Sequence, residues 1–561
     1  MTFPRHTTVQ SARGATSRNW LLYLGLFSVY LVLRCLAWRS TLLLEDHDSV
    51  FYLYQIRLFL DFDLLDIINS DPDSTPFYPF LGALCSLPGW SVEFGARLCS
   101  LVLSSTLFLA VAGIGKRIAN SHEVAIGLLI LSLSPVMVFL SISVLTEPSY
   151  VALVYLGFWL FLTQYESPAY WKSTVLGMIF GLAFLTRTEG LLYIAVIPIL
   201  QWAHFLFVKP RQCSFRRLIG WSSIFIVFFL ALAIPQIWRV SKKMGTFAIN
   251  GRQAWMTILN NPDGKSFEEK IYGLDFSSKT VNLDYILNHP GALSQYNVDK
   301  NIKYYLGILK NFSFNLNRLY QRNLGILIGP IGISFFVLGL LALLSSGRPF
   351  ESFLVSAFIA VALVAPLLYN VAIRHIAIIA PVLFTMEGLG IVYLYRWVRR
   401  RQHSRFLMGF FFIPLCLFHF TAGMSYPLLT RFSRPLEVNS EYRPDELREP
   451  VRVIKHIEKN KLLRSPNIAA RKNYLAYYAG GNPFPTPYTT YEGLARYCHI
   501  NNIDFLYLQH RLLRDYPFLA IFSGSNSAPH FSLLHQSKDH CGGNIELYRF
   551  DSALGRQSDR P

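Results

Sequence analysis

Long apolar runs separated by short polar connections occupy the first three quarters of the chain. Eleven of these runs come close to the roughly 20 residues that an α-helix needs to cross a bilayer. They lie near 20–38, 96–114, 124–143, 147–164, 174–186, 190–208, 218–237, 325–344, 352–370, 375–395 and 406–425. The run 174–186 is the shortest and needs a few flanking residues. The pattern predicts a polytopic α-helical membrane protein with about 11 transmembrane helices.

Composition and charge agree with this prediction. Of the 561 residues, 52% are hydrophobic and only 15% are charged, whereas a soluble domain carries about 25% charged residues. The formal net charge of +18 is also typical of nucleic-acid binding. With so many apolar runs, however, basic loops at a membrane surface explain it better, and we expect no nucleic-acid partner.

The basic residues indicate the orientation of the spans. If the N-terminus is cytoplasmic, segments rich in Lys and Arg such as "KPRQCSFRR" and "RWVRRRQHSR" lie inside, and the short outer turns hold only Arg187 and Arg374. The opposite orientation would reverse this bias, so the positive-inside rule predicts a cytoplasmic N-terminus. The first run is too long for the core of a signal peptide, and we expect it to be retained.

Three regions follow from this layout. Residues 1–19 form a cytoplasmic tail. Residues 20–429 form the transmembrane domain, which includes an interfacial helix at 49–60 and an external loop at 238–324. Residues 430–561 form a small extracytoplasmic α/β domain, because "REPVRVIKHIEKN" and "EGLARYCHI" have helical patterns while "DFLYLQH" and "NIELYRF" have strand patterns. Cys498 and Cys541 share this domain, either as a disulfide or as two free thiols.

An acidic group precedes a short apolar segment after the first span. Glu45, Asp46 and Asp48 stand before residues 49–60, which are too few to cross the bilayer and are expected to lie along the outer interface as a helix. Asp48 or Ser49 can serve as the N-cap of this helix. For Asp48, helix capping and catalysis are equally supported.

Further charged residues fall at other outer turns. Glu147 in "VLTEPSY" begins a span, Arg187 and Glu189 lie in "LTRTEG", and Arg374 and His375 lie in "YNVAIRHI". Each has a structural explanation, since an acid favours a helix N-terminus, Arg and Glu can pair within a turn, and a lone His is more often structural. An Arg at membrane depth is, however, also suited to a lipid-linked phosphate, because its guanidinium group binds phosphate oxygens bidentately.

These residues all map to the outer rim of the predicted bundle. Ionisable groups at membrane depth are energetically expensive and usually face a cavity. Acids and bases gathered at one membrane surface therefore indicate a site for a charged, lipid-embedded substrate.

The motifs resemble those of the GT-C superfamily of integral membrane glycosyltransferases, in particular protein O-mannosyltransferases and aminoarabinose transferases. The resemblance rests on "EDHDSVFYL", "STPFYPFLGAL", "SPVMVFLSISVLTEPSY", "GLAFLTRTEGLLY" and "IRHIAIIAPVL", and in order and spacing it covers residues 20–395. It implies transfer of a hexose or pentose from a polyprenyl-phosphate carrier to an acceptor on the outer or luminal face, with inversion.

The resemblance also implies residue roles. Asp48 is the expected base that takes the acceptor's proton. Many relatives carry an Asp–Glu pair in this loop, whereas this chain has Glu45-Asp46-His47-Asp48, so Asp46 is an alternative base. Asp71 and Asp73 in "NSDPDSTPFYP" are additional acidic candidates.

The remaining charged residues are expected to bind substrate. Glu147 would bind the acceptor or the sugar, and Arg187 and Arg374 would hold the donor phosphate. Glu189 and His375 complete the expected substrate-binding set.

No cofactor and no metal are expected. The phosphodiester of the donor carries one negative charge, which Arg side chains can hold without a metal. Some relatives of the GT-C superfamily bind a metal, but no His or Cys spacing here argues for one. The expected partners are a polyprenyl-phosphate-linked sugar, a lipid, glycan or protein acceptor, and membrane lipids. The exported domain resembles that of bacterial members and predicts the bacterial inner membrane.

Two alternatives belong to other classes of protein. A transporter or flippase of lipid-linked sugars is disfavoured, since transporters usually bind near the midplane and often have repeated halves. The other alternative is a membrane protein whose exported domain binds partners and whose rim charges are structural.

Overall fold

A computed structural model gives the structure of the chain. It describes residues 16–40, 47–63, 67, 74–166, 169–207, 214–251, 258, 265–274, 280–283, 285, 289, 302–329, 331–346, 349–368, 372–400, 404–419, 444–459, 465–524, 528–539 and 542–551. Contacts divide the chain into two compact units. The first comprises Met1–Thr41, Thr75–Gln236 and Leu306–Leu436, and the second comprises Leu42–Ser74, Ile237–Tyr305 and Glu437–Pro561.

All regular secondary structure in the described residues of the first unit is helical. Its α-helices are Thr16–Ser40, Phe77–Ser86, Val92–Ile118, Ser121–Leu133, Pro135–Leu140, Glu147–Glu166, Tyr170–Thr186, Tyr193–Phe207, Phe215–Met244, Ile302–Arg318, Leu324–Ile328, Gly332–Ser345, Pro349–Leu368, Ile373–Ile376, Ala380–Arg399, Ser404–Leu407 and Ile413–Phe418. Short 3₁₀-helices occupy Thr188–Leu192 and Ala377–Ile379, and π-helical turns occupy Leu319–Asn323 and Met408–Phe412. Helices Phe215–Met244 and Ile302–Arg318 continue along the chain past the limits of this unit.

Helices lie at all of the predicted spans, but fewer than eleven have the length and apolarity of a membrane span. Within the described ranges six qualify, namely Trp20–Arg39, Val92–Ile118, Thr188–Leu206, Phe215–Met244, Phe350–Leu368 and Ile373–Arg399. A seventh span results if Leu309–Ile328 and Gly332–Ser345, which are bent by 88°, count as one. The chain is therefore a multi-pass membrane protein, and the count of eleven stays a prediction.

The predicted span 124–143 is interrupted in its middle. Ser134 adopts an extended conformation and Pro135 follows at the first position of the next helix. Proline fits this position because the N–H it lacks would have no intrahelical partner there. The run consequently forms two helices, Ser121–Leu133 and Pro135–Leu140, rather than one.

Glycines bring three helices of the first unit close together. A Cβ on Gly390 would collide with the carbonyl oxygen of Phe335, and one on Gly339 would collide with that of Met386. On another face of the helix Ala380–Arg399, a Cβ on Gly388 would lie 2.7 Å from the backbone nitrogen of Gly127. Small residues allow such close backbone approach, which is a common basis of helix association in membranes.

The second unit contains a five-stranded mixed sheet with the order β2-β1-β3-β5-β4. The strands are β1 Asn467–Ala470, β2 Asn482–Pro485, β3 Phe505–Gln509, β4 Phe531–Lys538 and β5 Asn544–Phe550. β1 pairs parallel with β2 and β3, whereas β5 pairs antiparallel with β3 and β4. The α-helices of this unit are His47–Leu60, Phe267–Tyr272, Pro444–Glu458, Tyr474–Ala479, Tyr491–Ile500, His510–Leu513 and Leu519–Gly524.

The tail segments form the elements predicted from their patterns. "EGLARYCHI" lies in helix Tyr491–Ile500, and "DFLYLQH" and "NIELYRF" supply β3 and β5. The core of this sheet includes Leu494, Cys498 and Leu506, all fully buried. Burial in this apolar core raises the pKa of the Cys498 thiol. Cys541 lies outside the described residues, so the disulfide alternative stays open.

The helix His47–Leu60 packs against the tail within the second unit. The hydroxyl of Tyr54 donates a hydrogen bond to the carbonyl oxygen of Gly481 (3.1 Å), and the guanidinium of Arg57 lies over the ring of Tyr477, 5.1 Å from its centroid. Burial raises the pKa of Tyr54 to about 12, so its hydroxyl remains a hydrogen-bond donor. The predicted interfacial helix is thus also a structural part of the tail unit.

Gly390→Ala tests the glycine contact between helices. We expect the thermal stability of the detergent-solubilised protein to fall, because the added methyl group meets backbone atoms that cannot rotate away. Overpacking of this kind costs about 1–3 kcal/mol. The measurement is the midpoint temperature of thermal unfolding, monitored by size-exclusion chromatography.

Gly25→Ala is the matched control, since Gly25 is also helical and a Cβ there would meet nothing within 4 Å. This variant is expected to be as stable as the parent or slightly more stable, because alanine favours helix. Equal losses of stability in both variants would contradict the proposed packing role of Gly390.

Candidate active site

Glu147 stands at the first position of a helix, at the edge of the first unit's core. The helix Glu147–Glu166 begins directly after Thr146. Glu147 is only 4% exposed. A carboxylate is favoured at this end of a helix because the backbone N–H groups carry partial positive charge there. The dipole alone does not compensate for burial of a charge, so cationic neighbours are required.

Arg187 supplies the nearest cation. It joins helix Tyr170–Thr186 to the 3₁₀-helix Thr188–Leu192 in an extended conformation. The hydroxyl of Thr75 donates to the carbonyl oxygen of Thr186 at 2.7 Å and holds the end of the first of these helices. A Cβ on Gly190 would lie 2.5 Å from the backbone nitrogen of Phe184. Glycine therefore permits the tight turn that positions Arg187.

Arg187 binds two carboxylates at once. Its Nη1 donates to Oε1 of Glu147 at 2.5 Å, its Nη2 donates to Oε1 of Glu189 at 2.9 Å, and its Nε reaches Oε2 of Glu189 at 3.4 Å. The guanidinium also lies 5.9 Å from the ring centroid of Tyr150. The Arg187 side chain is 8% exposed. The local turn pair predicted for Arg187 and Glu189 is present, and Glu147 extends it into a network.

Arg374 reaches the same carboxylate from a third segment. Its Nε lies 3.8 Å from Oε1 of Glu147. Arg374 belongs to the short helix Ile373–Ile376, and its side chain is 26% exposed. It is therefore the more accessible of the two arginines.

Tyr155 holds this third segment against the helix that carries Glu147. Its hydroxyl donates to the carbonyl oxygen of Ile378 at 2.8 Å and accepts from the backbone N–H of Val382 at 3.1 Å. His375, next to Arg374, interacts electrostatically with the Glu147 carboxylate. The structure thus brings together Glu147, Arg187, Glu189, Arg374 and His375, the five residues predicted to bind substrate.

Of the candidate bases, the structure describes Asp48. Asp48 belongs to the second unit, in the first turn of helix His47–Leu60. That helix begins at His47, so Asp48 lies inside the helix rather than at its cap. Asp46, Asp71 and Asp73 lie outside the described residues.

Two buried charged sites inside predicted spans were not anticipated. Arg34 is fully buried, lies over the Tyr30 ring at 3.3 Å, and donates to the carbonyl oxygens of Tyr30 and Ser132. Glu387 and His419 form a fully buried pair with 3.2 Å between Oε2 and Nε2. The sequence did contain a signal for Arg34 and Glu387, since each interrupts an apolar run, and such residues are rare in spans.

No group of three or more His, Cys, Asp or Glu side chains suited to a metal ion occurs in the described part of the chain. The acidic residues of the first loop other than Asp48 are outside that part. The expectation of a metal-independent reaction therefore stays a prediction.

Known proteins resemble this chain in one sequence region and in overall fold. Residues 73–238, less than a third of the chain, match the family described as dolichyl-phosphate-mannose-protein mannosyltransferase. No curated protein sequence matches the chain. Solved structures that are similar at low sequence identity include the following three.

The first is the oligosaccharyltransferase of Archaeoglobus fulgidus tethered to an acceptor peptide with an NVT sequon, with a TM-score of 0.58, 11% identity, and coverage of 98% of this chain and 75% of that chain. The second is the same organism's oligosaccharyltransferase AglB with an inhibitory peptide and dolichol-phosphate, with a TM-score of 0.57, 13% identity and the same coverage. The third is ArnT from Cupriavidus metallidurans bound to undecaprenyl phosphate, with a TM-score of 0.53, 12% identity, and coverage of 96% of this chain and 99% of that chain.

These findings confirm the resemblance to the GT-C superfamily. The oligosaccharyltransferase and ArnT are both GT-C glycosyltransferases, and the matching family is also one of glycosyltransferases. The chain is a multi-pass membrane protein with the GT-C fold. Its similarity to the mannosyltransferase family extends over residues 73–238.

Arg187→Ala tests the energetic role of the central arginine. We expect the free energy of unfolding to fall by about 3–5 kcal/mol, because the substitution leaves Glu147 buried without its main ionic partner. Thermal unfolding of the full-length protein in detergent measures the effect. Arg374→Ala is the comparison and is expected to cost much less, since this side chain is more exposed and more distant from Glu147.

A double-mutant cycle separates pairing from other effects of the substitution. Glu147→Gln combined with Arg187→Ala should be less destabilising than the sum of the two single changes, because each single change leaves the partner's charge buried. Strict additivity would contradict an energetic coupling between Glu147 and Arg187.

Proposed function

We propose that this protein transfers a sugar from a polyprenyl-phosphate carrier to an acceptor at the outer face of the membrane, with inversion at the sugar carbon. The observation that carries the proposal is the charged cluster of the first unit, where a partly exposed Arg374 stands beside a buried Glu147–Arg187–Glu189 network. The complexes of AglB with dolichol-phosphate and of ArnT with undecaprenyl phosphate support a lipid-phosphate donor.

The chemistry requires a base and a cationic phosphate site. The acceptor oxygen or nitrogen attacks the anomeric carbon of the sugar, a new glycosidic bond forms, and the bond from that carbon to the phosphate oxygen breaks. The electron pair leaves with the polyprenyl phosphate, and the acceptor's proton passes to a carboxylate. Since the departing group needs no protonation, no general acid is required.

Arg374 is our candidate for the principal phosphate contact. The carrier phosphate changes from a diester with one negative charge to a monoester with a charge between −1.5 and −2 at about neutral pH. Arg374 therefore attracts the phosphate more strongly at the end of the reaction than at the start. Because part of the new charge has already formed in the transition state, this attraction stabilises the transition state as well. His375 is the next residue in the chain, and a protonated imidazole there would add to the positive charge of Arg374.

Arg187 has a different proposed role. Two carboxylates already occupy its N–H groups, which favours a role in holding Glu147 and Glu189 over the direct phosphate binding expected from the sequence. Glu147, which is held by both arginines, is the candidate for binding a hydroxyl or amine of the sugar or acceptor. Arg187 is then a positioning residue.

Asp48 remains the proposed base, and Asp46 remains the alternative. Both precede or begin the helix that packs on the tail within the second unit. The acceptor is a lipid, a glycan or a protein, and the donor sugar is a hexose or pentose. We place the N-terminus in the cytoplasm and the C-terminal domain outside it, on the basis of the charge bias of the loops. The resemblance of the exported domain to that of bacterial members favours the bacterial inner membrane.

Asp48→Asn tests the proposed base. We expect the rate of sugar transfer to fall by about 10²–10⁴-fold, because an amide cannot accept the acceptor's proton. The assay incubates purified full-length protein with labelled polyprenyl-phosphate sugars and candidate acceptors, and mass spectrometry identifies the product. Asp46→Asn is assayed in parallel to distinguish the two candidates.

Asp61→Asn is the matched control, since Asp61 follows the same helix and is exposed. It should retain full activity. Full activity in both Asp48→Asn and Asp46→Asn would remove this loop from the mechanism. Movement of labelled lipid-linked sugar across vesicles without bond formation would instead support the transporter alternative.

Arg374→Ala tests donor recognition. We expect the KM for the polyprenyl-phosphate sugar to rise by about tenfold or more, because a charge-assisted contact with the phosphate contributes about 1.5–3 kcal/mol. Arg396→Ala is the control, as Arg396 lies on helix Ala380–Arg399 and pairs with Glu123 at 2.9 Å. An unchanged donor KM in Arg374→Ala, or an equal rise in both variants, would contradict the phosphate role.

Chelation tests the expected metal independence. Activity should persist after treatment with EDTA, because the principal phosphate contact that we propose is the Arg374 side chain. Loss of activity that added Mg²⁺ or Mn²⁺ restores would show instead that a divalent cation takes part.

A further inference from the structure

A basic cleft opens at one edge of the sheet in the second unit. Its volume is about 240 Å³. One water molecule needs only about 10–15 Å³ of such a cavity. Four cationic side chains, Arg471, Lys472, Arg511 and Arg514, line it. Two acidic side chains, Glu268 and Asp515, lie among them. The lining therefore carries an excess of positive charge.

The topology of the sheet accounts for the position of the cleft. From β1 the chain goes to β2 on one side, and β3 then pairs with β1 on the other side, with all three strands parallel. In open α/β sheets a crevice forms outside the carboxyl ends of strands where the chain changes direction in this way, and ligands bind there. β1 ends at Ala470 and β3 ends at Gln509, so this crevice lies between them.

The cationic residues follow directly from these two strand ends. Arg471 and Lys472 continue from β1, and Arg511 lies in the short helix His510–Leu513 that continues from β3. The cleft, the topological crevice and the basic residues thus coincide. These are three separate observations, because the order of the strands depends neither on the charge of the side chains nor on the volume of the cleft.

Neighbouring groups hold Arg471 and Arg511 in place. The Arg471 guanidinium lies 3.8 Å from the ring centroid of Tyr272, and its Nη2 lies 3.9 Å from Oε1 of Glu268. Arg511 is held by Asp539, with 3.4 Å between Nε and Oδ2. Arg514 is 80% exposed and lies 3.5 Å from Asp515. Even with Asp539 included, the cations outnumber the carboxylates.

We propose that this cleft binds a phosphate-bearing anion. Planar guanidinium groups match the oxygen geometry of phosphate, and the ammonium of Lys472 adds a further hydrogen-bond donor. The cleft has room for a phosphomonoester together with part of the molecule attached to it. Such a group can belong to a water-soluble sugar phosphate or to the headgroup of a lipid. This binding site does not depend on the proposed transfer reaction.

Calorimetric titration of the full-length protein tests the site. The Arg374→Ala variant is used throughout, so that phosphate binding at the candidate active site does not contribute. The probes are glucose 1-phosphate, inorganic phosphate and short-chain phosphatidic acid, with glucose and short-chain phosphatidylcholine as their counterparts without a phosphomonoester. Binding of glucose 1-phosphate alone indicates a soluble ligand, binding of phosphatidic acid alone indicates a lipid headgroup, and binding of both indicates recognition of the shared phosphate.

Charge variants assign binding to the cleft. Lys472→Gln and Arg514→Gln should each weaken binding by about fivefold or more, because each removes a cation next to the anion. Glu268→Gln should strengthen binding, because it removes a repelling carboxylate. Arg549→Gln is the matched control: Arg549 is exposed on β5 and pairs with Phe505 at the start of β3, the opposite end of that strand. It should leave affinity unchanged.

Two outcomes would overturn the proposal. One is the absence of binding for every phosphate probe. The other is an equal loss in Arg549→Gln and in the cleft variants, which would indicate general electrostatic attraction. Thermal unfolding of each variant confirms folding, and the exposed Arg514 provides a substitution with little effect on the core.

Discussion

Burial of the Glu147 carboxylate is the constraint on which the charged cluster depends. A carboxylate with 4% exposure is tolerated only when cations compensate for its lost hydration. Three separate segments converge to meet this requirement: the start of helix Glu147–Glu166, the turn at Arg187, and the short helix that carries Arg374. A different residue fixes each segment. Pro148 lies at the second position of the helix Glu147–Glu166, Gly190 permits the turn at Arg187, and the hydroxyl of Tyr155 binds the segment that follows Arg374. The chemistry proposed for the site uses an arrangement that stability alone would already maintain.

Much of this arrangement was predictable because membrane proteins restrict where charge can lie. Glu147, Arg187, Glu189, Arg374 and His375 could be grouped from the sequence, since each lies at a turn on the same side of the predicted bundle. Their pairing could not be predicted. That Arg187 would take two carboxylates and Arg374 would remain more exposed depends on side-chain geometry, to which a hydropathy pattern is insensitive. The buried Arg34 shows the converse case, since an isolated cation in an apolar run gives no indication of the carbonyl groups that solvate it.

The number of spans and the segments that make up each unit show a further limit of prediction from hydropathy patterns. An apolar run such as 124–143 looks continuous because Ser134 and Pro135 hardly change its mean hydropathy, but together they end one helix and begin another. Likewise, the segment 42–74 lies between apolar runs in sequence and nevertheless groups with the tail in the second unit. The contacts responsible, such as that of Tyr54 with Gly481, join residues more than four hundred positions apart. Local periodicity carries no information on such distant pairs.

The two hydrogen bonds of Tyr155 have a consequence for motion. One oxygen atom joins the helix Glu147–Glu166 to two backbone positions, at Ile378 and Val382. A displacement of this helix relative to the segment that contains Ile378 and Val382 would break both hydrogen bonds together. It would leave buried backbone groups without hydrogen-bond partners. Arg374 and Glu147 are therefore expected to travel as one rigid body during any cycle of opening and closing. Conformational freedom, where the protein needs it, must come from hinges elsewhere in the chain.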